Sequence, residues 1–381
     1  MPNSPEPEKP APFPAHKLAC LRQERGLTQT ALAGQIGVSR QFFNQMEAGR
    51  VLPNVVIALR LATVLGSTVE ELFRATAAAE ATGIPVTQAD PRLEAGARLW
   101  LGRVGGSWIA HAADTAGTLA AGFAPADAVL EGPGRARMLA ALPAPTSNLL
   151  IAGCDPALAL LQPAAGSTAG GRWHWIDCGS GRALDLLAAG QVHVAGIHYS
   201  GTNGAGNLAE LRLRGLGARM SLVQFTRWEQ GWLVRRGVGA KFFGCTALAT
   251  GKWRLANRAD SAAARHWLDR ELARAKIDPR RIPGYDVPLA SATDGAQAVA
   301  GGRADVTVGP QALAMAHGLD FVPAEAVDFD LVAPATWWRS DRGRTLKSRI
   351  AELAGTGVLT GLPGYVPTQS GIERPKRQSR R

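Results

Sequence analysis

Between residues 16 and 75 apolar side chains recur every three or four positions, and beyond them they gather in short runs broken by glycine and small polar residues. The first spacing predicts helices and the second predicts alternating strands and helices. In the N-terminal segment Leu18 and Leu21 share a face of a first helix, which Gly26 ends. Thr28 caps a second helix with Ala31, Leu32 and Ile36 turned inward, and Gly37 makes the turn to a third, capped by Ser39. Gly49 closes that helix, Pro53 opens a fourth, and Thr68 with Glu71 makes the capping box of a fifth. At about 100° per residue, Phe43 and Met46 of the third helix fall toward the core. Gln41, Asn44 and Gln45 fall opposite, with Arg40 in the exposed first turn. Those side chains offer the donors and acceptors that read purine edges in a major groove. Phe42 sits at the border, able to touch a thymine methyl or to pack on the preceding helix.

From residue 147 to 366 strand patterns (NLLIAG, RWHWID, VHVAG, MSLVQF, GWLVR, WRLAN, ADVTVG) alternate with helix patterns (ALALLQP, RALDLLAAG, SAAARHWLDRELARA, DGAQAVAGG, QALAMAHG). This argues an α/β fold with a mainly parallel sheet in two lobes. Such sheets bind ligands beyond the carboxyl ends of their strands. Three of those ends carry small or polar residues: Gly153-Cys154-Asp155, Gly179-Ser180-Gly181, and Asn257-Arg258 onward to Arg265. Free N–H groups at helix starts suit an anion or a polar small molecule there. Between the two segments, residues 76–146 read as a linker with a small β element around Trp100, Val104, Trp108 and Ile109. Residues 1–15 and the basic tail 367–381 read as disordered.

Composition adds little to this division. The net charge is +11, but residues 16–75 hold seven basic against four acidic residues and the tail 373–381 five against one, the rest being thinly spread. The four cysteines are far apart and form no CxxC pair, no run reaches the length of a membrane span, and the N-terminus lacks the apolar core of a signal peptide. A soluble, cytoplasmic protein is expected. His174, His193 and His198 have no metal-ligand spacing, and no GxSxG elbow, P-loop or GxGxxG fingerprint is present, so neither a metal nor an enzymatic site is expected.

The N-terminal pattern GLTQ-x-x-LA-x-x-x-GVS-x-x-x-x-x-x-E-x-G resembles the Xre-type helix-turn-helix of the phage repressor family. The resemblance implies that Gln29 meets a phosphate, that Arg40, Gln41 and Gln45 reach base edges with Asn44 next to them, and that Ser39 opens the reading helix. The later stretches IAGCDPALALL, CGSGRALDLLAAGQVHVAGIH, WEQGWLV, NRADSAAARHWLD, IPGYDV, AVAGGRADVTVGPQALA and GLDFVP resemble the type II periplasmic-binding-protein fold, in a form related to molybdate-binding proteins. That resemblance implies two lobes joined by crossover strands near 225–231 and 309–321. It puts Cys154, Asp155 and Ser180 on one side of a ligand cleft and Arg258, Ser261 and Arg265 on the other. Where such proteins commonly carry GSGTR, this chain has Ser261 followed by three alanines before Arg265, so two hydroxyl donors are missing. Asp155 also suits a helix cap, and Arg265 also suits an ion pair with Asp269 one turn later.

The expected whole is therefore multidomain, an all-α five-helix helix-turn-helix domain followed by an α/β two-lobed periplasmic-binding-protein-like domain. Its expected partners are a double-stranded DNA operator, a second copy of the chain, and an effector that is either an oxyanion such as molybdate or a small organic metabolite; no cofactor and no membrane are expected. The rival expectation is an enzyme acting in the same cleft with Cys154 or His198 as its reactive group.

Overall fold

The computed structural model describes residues 15–48, 50–69, 72, 83–115, 123–139, 145–162 and 171–375, and the chain divides into two compact units, Met1–Thr82 and Gly83–Arg381. In the first unit four helices are described: α1 (Ala15–Glu24), α2 (Gln29–Ile36), α3 (Arg40–Glu47) and α4 (Val55–Leu65). Thr28 and Ser39 cap α2 and α3 by accepting the N–H groups of Ala31 and Phe42 at 3.1 and 3.2 Å. The cap of α4 is Asn54, which accepts from Ile57 N–H at 2.9 Å, rather than Pro53 one position earlier. An Asx side chain satisfies a first-turn donor, which proline cannot do. Leu18, Leu32, Ile36, Phe43, Met46, Leu61 and Leu65 close the core, and Leu72 joins them. The expected helix stop at Gly49 and capping residue Glu71 lie outside the described residues.

The second unit begins with six strands, β1 (Ile84–Pro85), β2 (Thr87–Gln88), β3 (Arg98–Val104), β4 (Ser107–Ala112), β5 (Ala128–Gly132) and β6 (Arg135–Met138), in the order β1-β6-β5-β3-β4-β2. Sequence patterning marks this region as a linker with a small β element; it is a sheet with its own core of Leu99, Leu101, Ala110, Ala128 and Leu130. Buried polar contacts fasten this sheet to the larger one beside it. Asn148 donates to Leu101 O at 2.9 Å and His193 Nε2 bonds to Arg103 O at 3.0 Å.

The larger sheet is mixed and has eight strands: β7 (Leu149–Gly153), β8 (Trp173–Asp177), β9 (Val194–Ile197), β10 (Met220–Val234), β11 (Leu255–Ala256), β12 (Val306–Pro310), β13 (Asp320–Pro334) and β14 (Tyr365–Val366). The order is β11-β12-β10-β13-β9-β7-β8, with β14 added to β10. The outer strands pair in parallel as expected, but the centre is two antiparallel strands of 15 residues each. MSLVQF and GWLVR are thus the two halves of β10, joined through irregularities at Gln224/Thr226 and Gln230/Gly231. One expected crossover, 225–231, lies on β10. The other was expected at 309–321; the return strand is β13, and its crossing residues come later in the chain. Pro323, Glu325, Asp328 and Asp330 break the apolar run that would have marked it as a strand.

The two long strands run through two separate apolar cores. One surrounds β7, β8 and β9 with α5 (Ser180–Ala188), α6 (Ala205–Leu213) and a 3₁₀ helix, Pro156–Leu161, where ALALLQP suggested an α-helix. The other surrounds β11 and β12 with α7 (Cys245–Leu248), α8 (Ala263–Arg274), α9 (Ala292–Ala300) and α10 (Gln311–Ala316). The chain then returns to the first lobe through α11 (Ala335–Trp338) and α12 (Asp341–Gly355).

Residues 367–374, expected within a disordered tail, continue along β10 instead. Gln224 of β10 donates its N–H to Ile372 O and accepts from Gly371 N–H, and Arg374 donates Nε to Asp330 at 2.7 Å with Asp328 beside it. Two inward aspartates on β13 leave a buried negative charge, and a buried charge is retained only when paired. That need is invisible in the local composition of the tail.

Candidate functional site

In the N-terminal unit the third helix exposes Arg40, Gln41, Asn44 and Gln45 together on one side. Phe42 is half-buried against the helical core, which decides its role in favour of packing. Ser39 spends its hydroxyl on the cap. Gln29 is tied by its amide to Glu47, a buried carboxylate that also receives Arg22 Nε at 2.7 Å. Glu47 was not singled out from sequence; it sets the orientation of Gln29 at the start of α2.

In the C-terminal unit the strand ends of the two lobes meet. The N–H of Gly181 donates to Ser261 O at 2.9 Å, and a Cβ on Gly179 would stand 3.1 Å from Ala262. Glycine is required at position 181, where a Cβ would fall against the Ser261 carbonyl, and a Cβ at 179 would be tight. Cys154, Asp155 and Ser180 lie on the first-lobe side and Arg258 and Ser261 on the second, so the structure brings five of the six expected ligand residues to one junction. Arg265 is the exception in orientation. Its Nε donates to Asp269 at 2.9 Å, its Nη1 reaches Asp260 and Arg258 O, and its guanidinium stacks 4.0 Å from the Tyr285 ring centre. The helical ion pair holds it there.

Each first-lobe residue has a local job as well. Asp155 caps the 3₁₀ helix through Ala157 N–H at 2.9 Å and accepts from Tyr365 Oη at 2.5 Å, and Trp228 stands beside its carboxylate as a further donor. Burial pushes its carboxyl up to about 6. Ser180 is fully buried, its Oγ accepting from His198 N–H at 3.2 Å; the cap position of α5 belongs to Gly179. The Cys154 thiol is pushed up to about 12 by burial.

Arg258 is the centre of the junction. It is 3% exposed, bonds through Nη2 only to Ala290 O at 3.3 Å, and leaves Nε without a partner. Its charge is felt by Cys154, Asp177, Cys178 and His198, all on the opposite lobe. Asp177, at the end of β8, is pushed up to about 7 by burial, with Arg258 opposing that rise, and its Oδ1 is buried without a partner. His198 lies tilted against Trp228, ring centres 4.9 Å apart, and is held neutral, lowered to about 3 by burial. On β10, Trp228 Nε1 faces the Asp155 carboxylate, and Gln230 Oε1 is buried without a partner among the described residues. Most buried polar groups in folded proteins are satisfied, so Arg258 Nε and Asp177 Oδ1, on the two sides of the junction and without a hydrogen-bond partner among the described residues, depart from that rule. Asp177 and Tyr365 were missed from sequence: Asp177 ends an apolar strand where a turn residue is ordinary, and Tyr365 arrives from a distant segment.

Residues 15–75 match a helix-turn-helix domain family and residues 162–351 a periplasmic-binding-protein superfamily domain. An uncharacterized HTH-type transcriptional regulator of Methanothermobacter thermautotrophicus is 43% identical over 53 residues, which are 14% of this chain and 77% of that protein. The uncharacterized protein YvgK of Bacillus subtilis is 25% identical over 155 residues, 40% of this chain, and the match spans half of that protein's length. Among solved structures, the effector-binding domain of QuiR in complex with shikimate superposes with a TM-score of 0.39 at 12% identity, over 55% of this chain and 97% of that one. No described helix is long and apolar enough to cross a membrane.

Proposed function

The chain belongs to the helix-turn-helix transcriptional regulators, and from that membership we propose that a small anionic effector, bound where the two lobes of its periplasmic-binding-protein-like unit meet, controls its grip on an operator. Arg40, Gln41, Asn44 and Gln45 read base edges, and Gln29 holds a phosphate. A single head of this kind covers only a few base pairs, so the active species is a homodimer on a pseudo-palindromic site in cytoplasmic DNA. The observation that carries the effector site is the buried, half-unpartnered guanidinium of Arg258 facing Asp177 across the lobe junction. Molybdate-like oxyanions and small organic acids are the two effector classes such a cation suits.

The rival enzymatic reading finds little support at its two candidate groups, Cys154 and His198. A thiol at about 12 is not a thiolate nucleophile, and an imidazole at about 3 is a poor base at neutral pH. An operator is first obtained by selection from random duplexes. Gln41→Ala should then weaken binding by about tenfold or more, the loss of one base-edge contact, without altering thermal stability. Unchanged affinity in an anisotropy titration would remove the third helix from the reading role.

A further inference from the structure

Resting on the reading that the two lobes move against each other, we infer that Glu325 is the latch of that movement. Its one carboxylate, on the crossover strand β13, holds a side chain from each lobe and so favours the closed arrangement before any effector binds. Glu325 pairs in register with Gln230 of β10, whose Nε2 reaches Oε1 at 3.4 Å. Ser200, in the loop that follows β9 of the first lobe, donates its hydroxyl to Oε1 at 2.6 Å. Arg270, on α8 of the second lobe, stands with Nη2 3.5 Å from Oε2. A hydroxyl-to-carboxylate bond that short is charge-assisted and among the stronger kinds. The two oxygens are thus divided between the lobes, and a swing that parts Ser200 from Arg270 breaks at least one arm.

The ion pair alone would be an ordinary surface contact, since Arg270 and Glu325 side chains are 36% and 26% exposed and such pairs contribute little. The Ser200 arm is what makes it a link between lobes. Beside it, the rings of Tyr199 in the first lobe and His266 on α8 lie 5.8 Å apart. His266 and Arg270 are four residues apart and share a helix face. That face therefore meets Tyr199 and Ser200 in a second inter-lobe contact, separate from Gly181 and Ser261. Holding the lobes closed in the absence of a guest raises the fraction of chains ready to bind it, and apparent affinity scales with that fraction.

The test is hydrogen exchange read by mass spectrometry on the full chain without added ligand, followed at Gly181. This amide lies in the first turn of α5, where a helix offers no carbonyl, and donates instead to Ser261 O of the other lobe. Its exchange therefore reports opening. Glu325→Ala and Ser200→Ala should each speed exchange of the peptide carrying Gly181 by about fivefold or more, the scale of a typical coupling between states. Peptides from β7 and β12 should keep their wild-type rates. Added to Glu325→Ala, Ser200→Ala should change nothing further, because its acceptor is already gone. Unchanged exchange in both single variants, or effects that simply add, overturns the latch and leaves the moving lobes standing. Acceleration shared equally by β7 and β12 assigns the change to general instability and also overturns the latch. Exchange at Gly181 as slow as in β7 in every chain, the wild type included, overturns the movement of the lobes as well.

Discussion

At Glu47 a single carboxylate holds two side chains of the DNA-reading unit, Arg22 and Gln29, on a nearly dry interface with side-chain exposures of 7% for Glu47 and 12% for Arg22. Breaking a buried pair by removing one partner costs about 3–5 kcal/mol because the other charge stays behind. Glu47→Ala should therefore destabilise the helical unit by that order, read as a lower urea midpoint, and loosen Gln29, so that operator affinity falls as well. A normal midpoint would mean that water already satisfies Arg22. Asp155 makes an opposite case. Its carboxyl, raised to about 6 from 3.8, holds a proton more tightly folded than unfolded. The native state thus loses stability as pH rises from about 4 to 6 and carries the full cost above that. With about 1.4 kcal/mol per pKa unit, the cost is about 3 kcal/mol. Asp155→Asn keeps an oxygen for Tyr365 and Ala157 and removes the charge. It should raise the melting temperature at pH 8 and leave it nearly unchanged at pH 4; an equal gain at both values would assign the effect to packing.

The elements were legible where one physical signal sufficed. Helices α2 and α3 announce themselves through Thr28, Gly37 and Ser39, and β7, β8 and β12 through short apolar runs ending in glycine or aspartate. Elements that depend on distant partners were not. The polar residues of β13 make sense only with Arg374 and Asn207 against Asp330, and the strap 367–374 only with β10 as its template. The junction itself was half legible: glycines and Arg258 stood out, whereas Asp177, Gln230 and Tyr365 owe their places to the crossing of lobes. That crossing is also testable at the level of elements. A Cβ at Gly181 would fall against Ser261 O, closer than any contact tolerates. Gly181→Val should hold α5 and α8 apart, increase the radius of gyration in X-ray scattering, and abolish the ligand-induced thermal shift. A variant that still closes would show that the two helix starts need not touch.

For the whole molecule, an effector can move DNA affinity only by as much as it discriminates between states of the chain, commonly about 1–3 kcal/mol, or roughly 5- to 150-fold. In the proposed mechanism lobe closure supplies two such states, with the Gly181–Ser261 contact as the mark of the closed one. The most direct measurement is operator affinity by fluorescence anisotropy, using a duplex selected from a random pool, with and without a saturating anion that raises the melting temperature. A change of at least about fivefold, absent in Arg258→Gln, is the predicted result. Identical affinities with the anion demonstrably bound would contradict the coupling of the cleft to the DNA-reading helices.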